Sequence, residues 1–270
     1  MKLSEIEEVE NKYLKKYFYF FKYVENEMFN GFKSMYDIEK NWRKFWGTNK
    51  SDFSTGAERV VYGLLNGKAF GSPNSTPVSS DLMFEMDDAF IHIDVKTYGE
   101  SNLKDFTTSH TIEANQTSYF CEIMEKPKNG GRSKFIPTRV HSANLPDFYT
   151  KKDGSKKICL TYFISILTEN YGRDIMCIVL TCLPNIKLKQ HYKYRPIKAG
   201  KNSDSFVSMS KNYKPFKFGK GRFDFKEVGT FELLPNTPSR VKVIYYDVAK
   251  CSKYTNLDLI KSIYNRQGDI

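Results

Sequence analysis

The stretch DLMFEMDDAFIHIDVK, residues 81–96, determines the fold more than any other part of the chain. Apolar residues rich in Phe, Ile and Met flank the acidic pair Asp87-Asp88, which predicts a β-hairpin with a two-residue turn. In that register Asp81 lies directly opposite Asp94, and the apolar side chains of both strands share one face.

The hairpin brings charged side chains together on its second face. Side chains alternate along a strand, so Asp94 and Lys96 share one face while Ile93 and Val95 point to the other. We expect one face to form a core and the other to carry chemistry at an exposed site. Opposed residues have Cβ atoms about 4.5–5.5 Å apart, and two carboxylates at that separation repel each other unless a cation neutralises them.

This carboxylate pair is typical of a metal site for phosphodiester hydrolysis. Asp81, Asp94 and the carbonyl of Val95, completed by waters, suit Mg²⁺, a hard ion that prefers oxygen ligands. Such an ion polarises a phosphoryl oxygen and lowers the pKa of a bound water. Lys96 can hold the attacking water or offset charge in the transition state. We therefore predict Asp81, Asp94 and Lys96 as catalytic residues, and Asp81, Asp94 and Val95 as metal ligands.

Helical patterns precede the hairpin. Residues 3–46 carry apolar side chains at three- and four-residue steps, which predicts two helices broken near Asn30-Gly31. A further amphipathic helix is predicted from the start signal at residues 54–56 to the stop signal at Asn66-Gly67. Glu58 lies in its first turn, where an acid stabilises the positive end of the helix dipole.

Strands are predicted after the hairpin at residues 158–168, 175–183 and 241–248, with a turn near Gly172 joining the first two. Residues 105–126 are ambiguous and are predicted to be partly helical. Helices that flank a sheet containing hairpins indicate a mixed α/β fold.

Basic residues are concentrated between residues 187 and 226. The whole chain has 42 Lys and Arg against 31 Asp and Glu, a formal charge of +11, which favours a polyanionic partner such as nucleic acid. In this segment Lys and Arg are interleaved with Tyr and Phe, and the acids are Asp204 and Asp224 alone. We predict that DNA binds here; an ordinary solvated surface, or a strand packed on a core, is the alternative.

The remaining composition excludes several classes of protein. Five cysteines without a Cys-x-x-Cys pair fit neither a disulfide framework nor a structural zinc site, and favour a reducing, cytoplasmic setting. No stretch is long and apolar enough to span a bilayer, and the N-terminus lacks the apolar core of a signal peptide. We expect no membrane partner.

The hairpin and its lead resemble the catalytic core of the PD-(D/E)xK nuclease superfamily. The likeness rests on a turn-rich lead ending in Asp81, followed by a hairpin into Asp94-Val95-Lys96-Thr97. Within the superfamily the chain is most similar to type II restriction endonucleases of the EcoRV and BglI branch. The resemblance is strongest over residues 81–98 and extends over residues 56–248.

Two further positions bear on this resemblance. Gly56-Ala57-Glu58 resembles the N-terminal helix acid that usually supports the metal site of the superfamily, which makes Glu58 a further candidate catalytic residue. Ser80 departs from the motif, which has proline before the first aspartate. This departure leaves Glu85 and Asp87 as alternatives to Asp81.

The resemblance implies a restriction endonuclease-like fold, with a central mixed β-sheet flanked by α-helices. It implies a Mg²⁺-dependent homodimer that cuts double-stranded DNA, leaving blunt ends or 3′ overhangs. It also implies that the basic stretch at residues 218–224 holds base-reading side chains. A polar stretch after the catalytic strand is a further candidate, with an ordinary loop as the alternative. The candidate DNA-binding residues are Lys217, Lys220, Arg222, Asp224, Asn115 and Gln116.

We predict a single nuclease domain with four parts. These are an N-terminal helical region (1–52), a catalytic core (53–185), a basic DNA-recognition segment (186–226), and a C-terminal strand and helix (227–270). The leading functional hypothesis is a type II restriction endonuclease. A repair or structure-specific nuclease of the same superfamily would cut branched or damaged DNA without a fixed sequence. A non-catalytic basic module would bind DNA without Mg²⁺ and leave it intact.

Overall fold

A computed structural model gives the fold of the 270-residue chain. It describes residues 1–37, 41, 44, 53–68, 70–74, 80–107, 110–125, 136–141, 143–169, 174–193, 195–199, 221–223, 225–227 and 229–267. The predicted turn near Gly172 and the candidate residues Lys217, Lys220 and Asp224 lie outside the described residues.

The strands form one large sheet and two small ones. In chain order they are β1 (Ser72–Pro73), β2 (Leu82–Glu85), β3 (Ala89–Tyr98), β4 (His110–Ile112), β5 (Cys121–Glu125), β6 (Ile136–His141), β7 (Phe148–Thr150), β8 (Lys156–Glu169), β9 (Asp174–Leu183), β10 (Ile197–Ala199), β11 (Gly221–Phe223) and β12 (Val241–Tyr246). The large sheet has the order β1-β2-β3-β8-β9-β12, and β7 pairs with the start of β8. The small sheets are β10-β11-β4 and β5-β6.

The large sheet is mixed because β3 and β8 are parallel neighbours, whereas its other pairs are antiparallel. Parallel strands need a long crossover, and residues 99–155 make it. β8 and β9 are buried along almost their whole length and are rich in Ile, Val and aromatic residues, as expected for central strands covered on both faces. Both strands were predicted from these runs.

The helices flank the large sheet. They are α1 (Leu3–Tyr23), α2 (Glu25–Asp37), α3 (Phe53–Leu65), α4 (Leu103–Thr107), α5 (Lys189–Tyr192), α6 (Val248–Cys251) and α7 (Asp258–Gln267). α1 packs against β9 and β12, α3 against β3, and α7 against β12. The predicted mixed α/β fold with flanking helices is confirmed. None of the helices in the described ranges is long and apolar enough to cross a membrane.

The N-terminal helices break at a different residue from the predicted one. α1 ends at Tyr23 and α2 begins at Glu25, so the predicted break near Asn30-Gly31 is wrong. Gly31 continues α2 because it serves packing and not termination: a Cβ atom there would lie 2.9 Å from Cγ1 of Val60 on α3. Glycine at this point lets the two helices approach closely.

One further predicted boundary changes for a local reason, and one ambiguous segment is settled. β12 ends at Tyr246 because Asp247 caps the short helix α6, its side chain accepting a hydrogen bond from the Lys250 backbone N–H. The ambiguous segment at residues 105–126 holds the end of α4, β4, a 3₁₀ turn at residues 114–116 and β5, so it is partly helical, as predicted.

A buried ionic network ties α1 to the start of β12. The guanidinium of Arg240 lies 3.0 Å from Glu7 Oε1 and 2.8 Å from Glu10 Oε2, and all three side chains are fully buried. Tyr192 joins the network through its hydroxyl, which donates to Glu7 and accepts from Arg240. Each charge in this network has an opposite charge or a hydrogen-bond partner, which is what burial of ions requires.

Gly71 supports the edge of the sheet through its backbone conformation. Its φ is +88°, and a Cβ atom there would lie 2.2 Å from the carbonyl oxygen of Glu85. We expect Gly71→Ala to lower the free energy of unfolding by about 2–4 kcal/mol, from backbone strain and the steric clash together. Gly67→Ala is the matched control, since Gly67 has a φ of +72° and open space around it. Urea unfolding measures both variants. If Gly71→Ala and Gly67→Ala lose the same free energy of unfolding, the steric clash makes no contribution.

Candidate active site

The predicted hairpin forms with the predicted register. Leu82 pairs with Ile93 in the antiparallel β2–β3 ladder. The Met86 N–H donates to the Ala89 carbonyl at 2.8 Å across the turn, which leaves residues 87–88 as the two-residue connection. The register derived from the sequence is therefore confirmed.

Both faces of the hairpin are covered. On the apolar face, Tyr62 of α3 stacks on Phe84. On the opposite face, His92 is 0 % exposed and Asp94 is 1 % exposed. The expectation of an exposed site on this face is therefore wrong at Asp94. Side chains from β7 and from the turn at residues 114–116 contact the two residues and cover them.

The two predicted acids lie together at the start of the hairpin and on β3. Asp81 immediately precedes β2, and its Oδ2 accepts a hydrogen bond from the Val95 backbone N–H at 2.7 Å. Its carboxyl group is close enough to that of Asp94 for each to affect the pKa of the other. The structure thus brings Asp81, Asp94 and Val95 into one site, as the register predicted.

Lys96 provides the positive charge beside this pair. Its Nζ lies 2.8 Å from Asp94 Oδ2, and its side chain is 26 % exposed against 1 % for Asp94. Lys96 therefore connects a buried carboxylate to the solvent side of the site. No hydrogen bond of good geometry reaches Asp94 Oδ2 from the residues that the structure describes.

Burial makes the carboxylate pair hold protons unusually tightly. The pKa of Asp94 is raised to about 7, chiefly by burial; the positive charge of Lys96 opposes this rise, and the negative charges of Asp81 and Glu113 add to it. Burial also raises the pKa of Asp81, against the lowering effect of the Val95 N–H. Two carboxyl groups in contact titrate as a pair, so the site favours a shared proton or a cation over two bare charges.

Gln116 is a member of this site and not of an open surface. It is 4 % exposed, and its Nε2 donates to Asp94 Oδ1 at 2.6 Å. Its Oε1 accepts from the Glu113 backbone N–H at 2.9 Å. The neighbouring Asn115, which was predicted with it as a DNA contact, accepts a hydrogen bond from Asn144 at 2.8 Å. The Glu113-x-x-Gln116 spacing indicates a capped turn but does not show that the turn reaches Asp94.

A neutral chain of hydrogen bonds flanks the acids on the same face. His92 lies 2.8 Å from Ser80 through Nδ1 and 3.1 Å from the Tyr149 hydroxyl through Nε2. Burial lowers the pKa of His92 to about 4, so the imidazole is neutral at pH 7. Ser80, at the position of the motif's proline, is thus buried and hydrogen-bonded directly before Asp81. Sequence reasoning missed Tyr149, which no spacing relates to the hairpin.

Glu58 lies on α3, the helix that covers the apolar face of the hairpin. Its Oε1 lies 3.5 Å from the Ser54 hydroxyl. Among the described residues, no group of three or more His, Cys, Asp or Glu side chains is close enough together to hold a metal ion. A role for Glu58 at the metal site therefore stays a prediction.

The two alternatives to Asp81 lie at the far end of the hairpin. Glu85 pairs with Lys151 at 2.6 Å and with Lys157 at 2.8 Å. Hydrogen bonds from these lysines hold the pKa of Glu85 at about 2. Asp87 is an exposed residue of the turn. The contacts therefore favour Asp81 as the partner of Asp94.

One candidate DNA contact of the basic segment lies in the described residues. Arg222 is in the middle of β11, and its Nη1 lies 3.1 Å from Asp105 Oδ1, with 35 % of its side chain exposed. Its register neighbours are Thr111 on β4 and Lys198 on β10. β4 in turn reaches the large sheet through His110, whose Nδ1 lies 2.9 Å from the Ser165 hydroxyl.

The donor atoms at Asp81 and Asp94 fit a hard divalent cation. Two neighbouring carboxyl groups supply oxygen ligands, and Asp94 Oδ2 has the Lys96 ammonium beside it but no hydrogen bond of good geometry from the described residues. A buried oxygen in that position needs a proton, a cation or water.

Two family models match the chain and together cover most of it. The model of the N-terminal domain of the type II restriction enzyme MwoI matches residues 2–173, and the model of its central domain matches residues 175–246. The chain belongs to the MwoI family of type II restriction enzymes. The sequence prediction of a type II site-specific deoxyribonuclease is thereby confirmed at the level of the family. A search of curated proteins gives no match.

Solved structures show the same fold for this MwoI-family chain. The restriction endonuclease BglI bound to its DNA recognition sequence matches with a TM-score of 0.62 and 16% identity, over 88% of this chain and 90% of that chain. Tetrameric restriction endonuclease SfiI bound to cognate DNA matches with a TM-score of 0.61 and 15% identity, over 92% of this chain and 87% of that chain. The predicted restriction endonuclease-like fold is confirmed.

Proposed function

We propose that this MwoI-family enzyme is a Mg²⁺-dependent endonuclease that hydrolyses phosphodiester bonds at a fixed sequence in double-stranded DNA. The observation that carries the proposal is the position of Asp81, which accepts from the Val95 N–H directly beside Asp94, with Lys96 Nζ 2.8 Å from Asp94 Oδ2. The two acids supply the hard oxygen ligands, and the lysine supplies a cation on the side from which substrate can enter.

Each residue of the site has a separate task in this proposal. Asp81 and Asp94, with the carbonyl of Val95, would hold the ion, which when bound supplies Lewis acidity toward a phosphoryl oxygen. The Val95 N–H fixes the orientation of Asp81. Lys96 orients the attacking water or offsets the charge that develops on the phosphate.

Double-stranded DNA is the proposed substrate, and a homodimer the proposed assembly. The formal charge of +11 favours a polyanion. BglI and SfiI, which share the fold, are described in complex with their DNA sequences, and SfiI is tetrameric. The two strands of a DNA duplex run antiparallel, so cutting both strands needs two active sites in opposite orientation. A homodimer with twofold symmetry provides them. We propose that cleavage leaves blunt ends or 3′ overhangs.

Digestion of phage DNA with Mg²⁺ tests the function directly. We expect discrete bands that disappear when the metal is chelated, and no cleavage with Ca²⁺, which is larger and less strict in geometry. A smear would indicate a nuclease without a fixed sequence, and intact DNA would overturn the proposed activity. Run-off sequencing of the products then gives the recognition sequence and the ends, and light scattering gives the number of chains in solution.

Arg222 is the candidate DNA contact of the basic segment that lies in the described residues. If it reads a base edge, Arg222→Ala should weaken binding to the recognition site by about 1–3 kcal/mol while binding to a random duplex changes little. Binding is measured with Ca²⁺ in place of Mg²⁺, at several salt concentrations. Asp105→Asn serves as the control because it removes the ion-pair partner and keeps the arginine. Equal losses on both duplexes would show that Arg222 contacts phosphates only.

A further inference from the structure

The two oxygens of the Asp94 carboxylate have different surroundings. Oδ1 accepts a hydrogen bond from Gln116 Nε2 at 2.6 Å. Oδ2 has Lys96 Nζ at 2.8 Å and no hydrogen bond of good geometry from the described residues. One oxygen is therefore occupied by a neutral amide donor, while the other lies beside the Lys96 ammonium.

The amide of Gln116 is itself held in place. Its Oε1 accepts from the Glu113 backbone N–H at 2.9 Å, which fixes the amide orientation so that Nε2 points at Asp94. Gln116 is 4 % exposed and lies in a turn of three residues, 114–116. Both polar ends of the side chain are thus engaged within the protein, and little of it is left to contact a DNA base.

We propose that Gln116 is a positioning residue, which locks Asp94 Oδ1 and thereby leaves Oδ2 as the oxygen that binds the metal ion. This inference rests on the proposed function of the site. A carboxylate that is free to rotate can present either oxygen to the ion. A carboxylate held by a hydrogen bond keeps a single orientation, so it loses less conformational entropy when the ion binds. Hydrogen-bond partners of metal ligands typically act in this way.

The test compares three variants of the full chain. Gln116→Met keeps the size of the side chain and removes the donor, and Gln116→Asn keeps the amide but withdraws it by one methylene. Asn144→Ala is the matched control, since it removes the hydrogen bond to Asn115 of the same turn and leaves Gln116 in place. Each variant is first checked for a cooperative thermal unfolding transition.

Two measurements separate positioning from a structural role. Binding of Mn²⁺ alone is followed by the electron paramagnetic resonance signal of the free ion, without DNA. Cleavage is followed with Mg²⁺ to give kcat and KM. We expect both Gln116 variants to lose about 10–100-fold in Mn²⁺ affinity and in kcat. KM for DNA and DNA affinity in Ca²⁺ should stay unchanged in both Gln116 variants, and Asn144→Ala should match the wild type in all four measurements.

The outcomes distinguish this inference from the proposed function. If the wild type cuts DNA and the Gln116 variants keep their Mn²⁺ affinity and kcat, the positioning role is overturned and the enzyme assignment stands. A loss limited to affinity for the recognition sequence would also overturn it and make Gln116 a base contact. If the wild type does not cut but the variants bind Mn²⁺ more weakly, the proposed activity fails and the positioning role is supported.

Discussion

Asp94→Asn is expected to lower the rate of DNA cleavage by at least about 10³-fold, because it removes a proposed ligand of the metal ion, which would supply several kcal/mol of transition-state stabilisation. The substitution keeps the shape of the side chain and still allows one oxygen to accept from Gln116. DNA binding in Ca²⁺-free buffer should therefore survive. Single-turnover cleavage of a fixed duplex, at saturating enzyme, measures the loss.

The same substitution should stabilise the protein in the absence of metal, in a way that depends on pH. Asp94 has an ordinary pKa of 3.8, which burial raises to about 7 in the folded chain. The folded state thus binds the proton more tightly than the unfolded state, so wild-type stability falls as pH rises from about 4 to about 7. Asparagine has no such dependence, and its advantage above pH 7 should be about 2–4 kcal/mol.

Thermal unfolding at pH 5 and pH 8 tests the direction of this pH dependence. The difference in Tm between Asp94→Asn and the wild type should be larger at pH 8. Asp88→Asn is the matched control: Asp88 lies in the same hairpin, but it is partly exposed and pairs with Lys12. Near-normal cleavage by Asp94→Asn, or an advantage that shrinks at pH 8, would show that Asp94 is not the central acid of the site.

Lys96→Ala should reduce cleavage by about 10²–10³-fold, the usual effect of removing one preorganised donor from the reacting phosphate. Binding of Mn²⁺ should persist or tighten, since the nearby positive charge is removed and both acids remain. This combination separates Lys96 from Gln116, for which metal affinity and turnover are expected to fall together.

Two further variants sharpen the test of Lys96. Lys96→Arg should not restore cleavage, because a planar guanidinium does not reproduce a compact ammonium beside a water molecule. Lys12→Ala removes an exposed lysine that pairs with an aspartate at a similar distance, 2.7 Å, and should leave turnover unchanged. Full activity of Lys96→Ala would place the catalytic cation elsewhere in the chain.

The hairpin could be predicted in detail because its information is local. A two-residue turn sets the register of both strands, and the alternation of side chains then assigns each residue to a face. Asp81 and Asp94 are 13 positions apart, yet one turn decides that they meet. The two long strands β8 and β9 were equally visible, since runs of branched and aromatic residues over 10 or more positions leave few alternatives.

Contacts that depend on distant packing were not predictable in the same way. Gln116 reaches Asp94 across 22 positions, and Tyr149 reaches His92 across 57. No repeating pattern in the sequence predicts either contact, because each depends on how the crossover between β3 and β8 folds over the sheet. The break between α1 and α2 was misplaced for a related reason: glycine signals the end of a helix in isolation, but at Gly31 the close approach of α3 requires it.

The buried cluster of Arg240, Glu7 and Glu10 constrains how this chain can diverge. Losing one member leaves an unpaired charge in the core, at a cost of about 3–5 kcal/mol, whereas replacing all three by apolar residues of similar volume is often neutral. Each single step therefore leads through an unstable intermediate. Among descendants of this sequence we expect the three positions to be kept or exchanged together, so that residues 7 and 10 covary with residue 240 although more than 200 positions separate them.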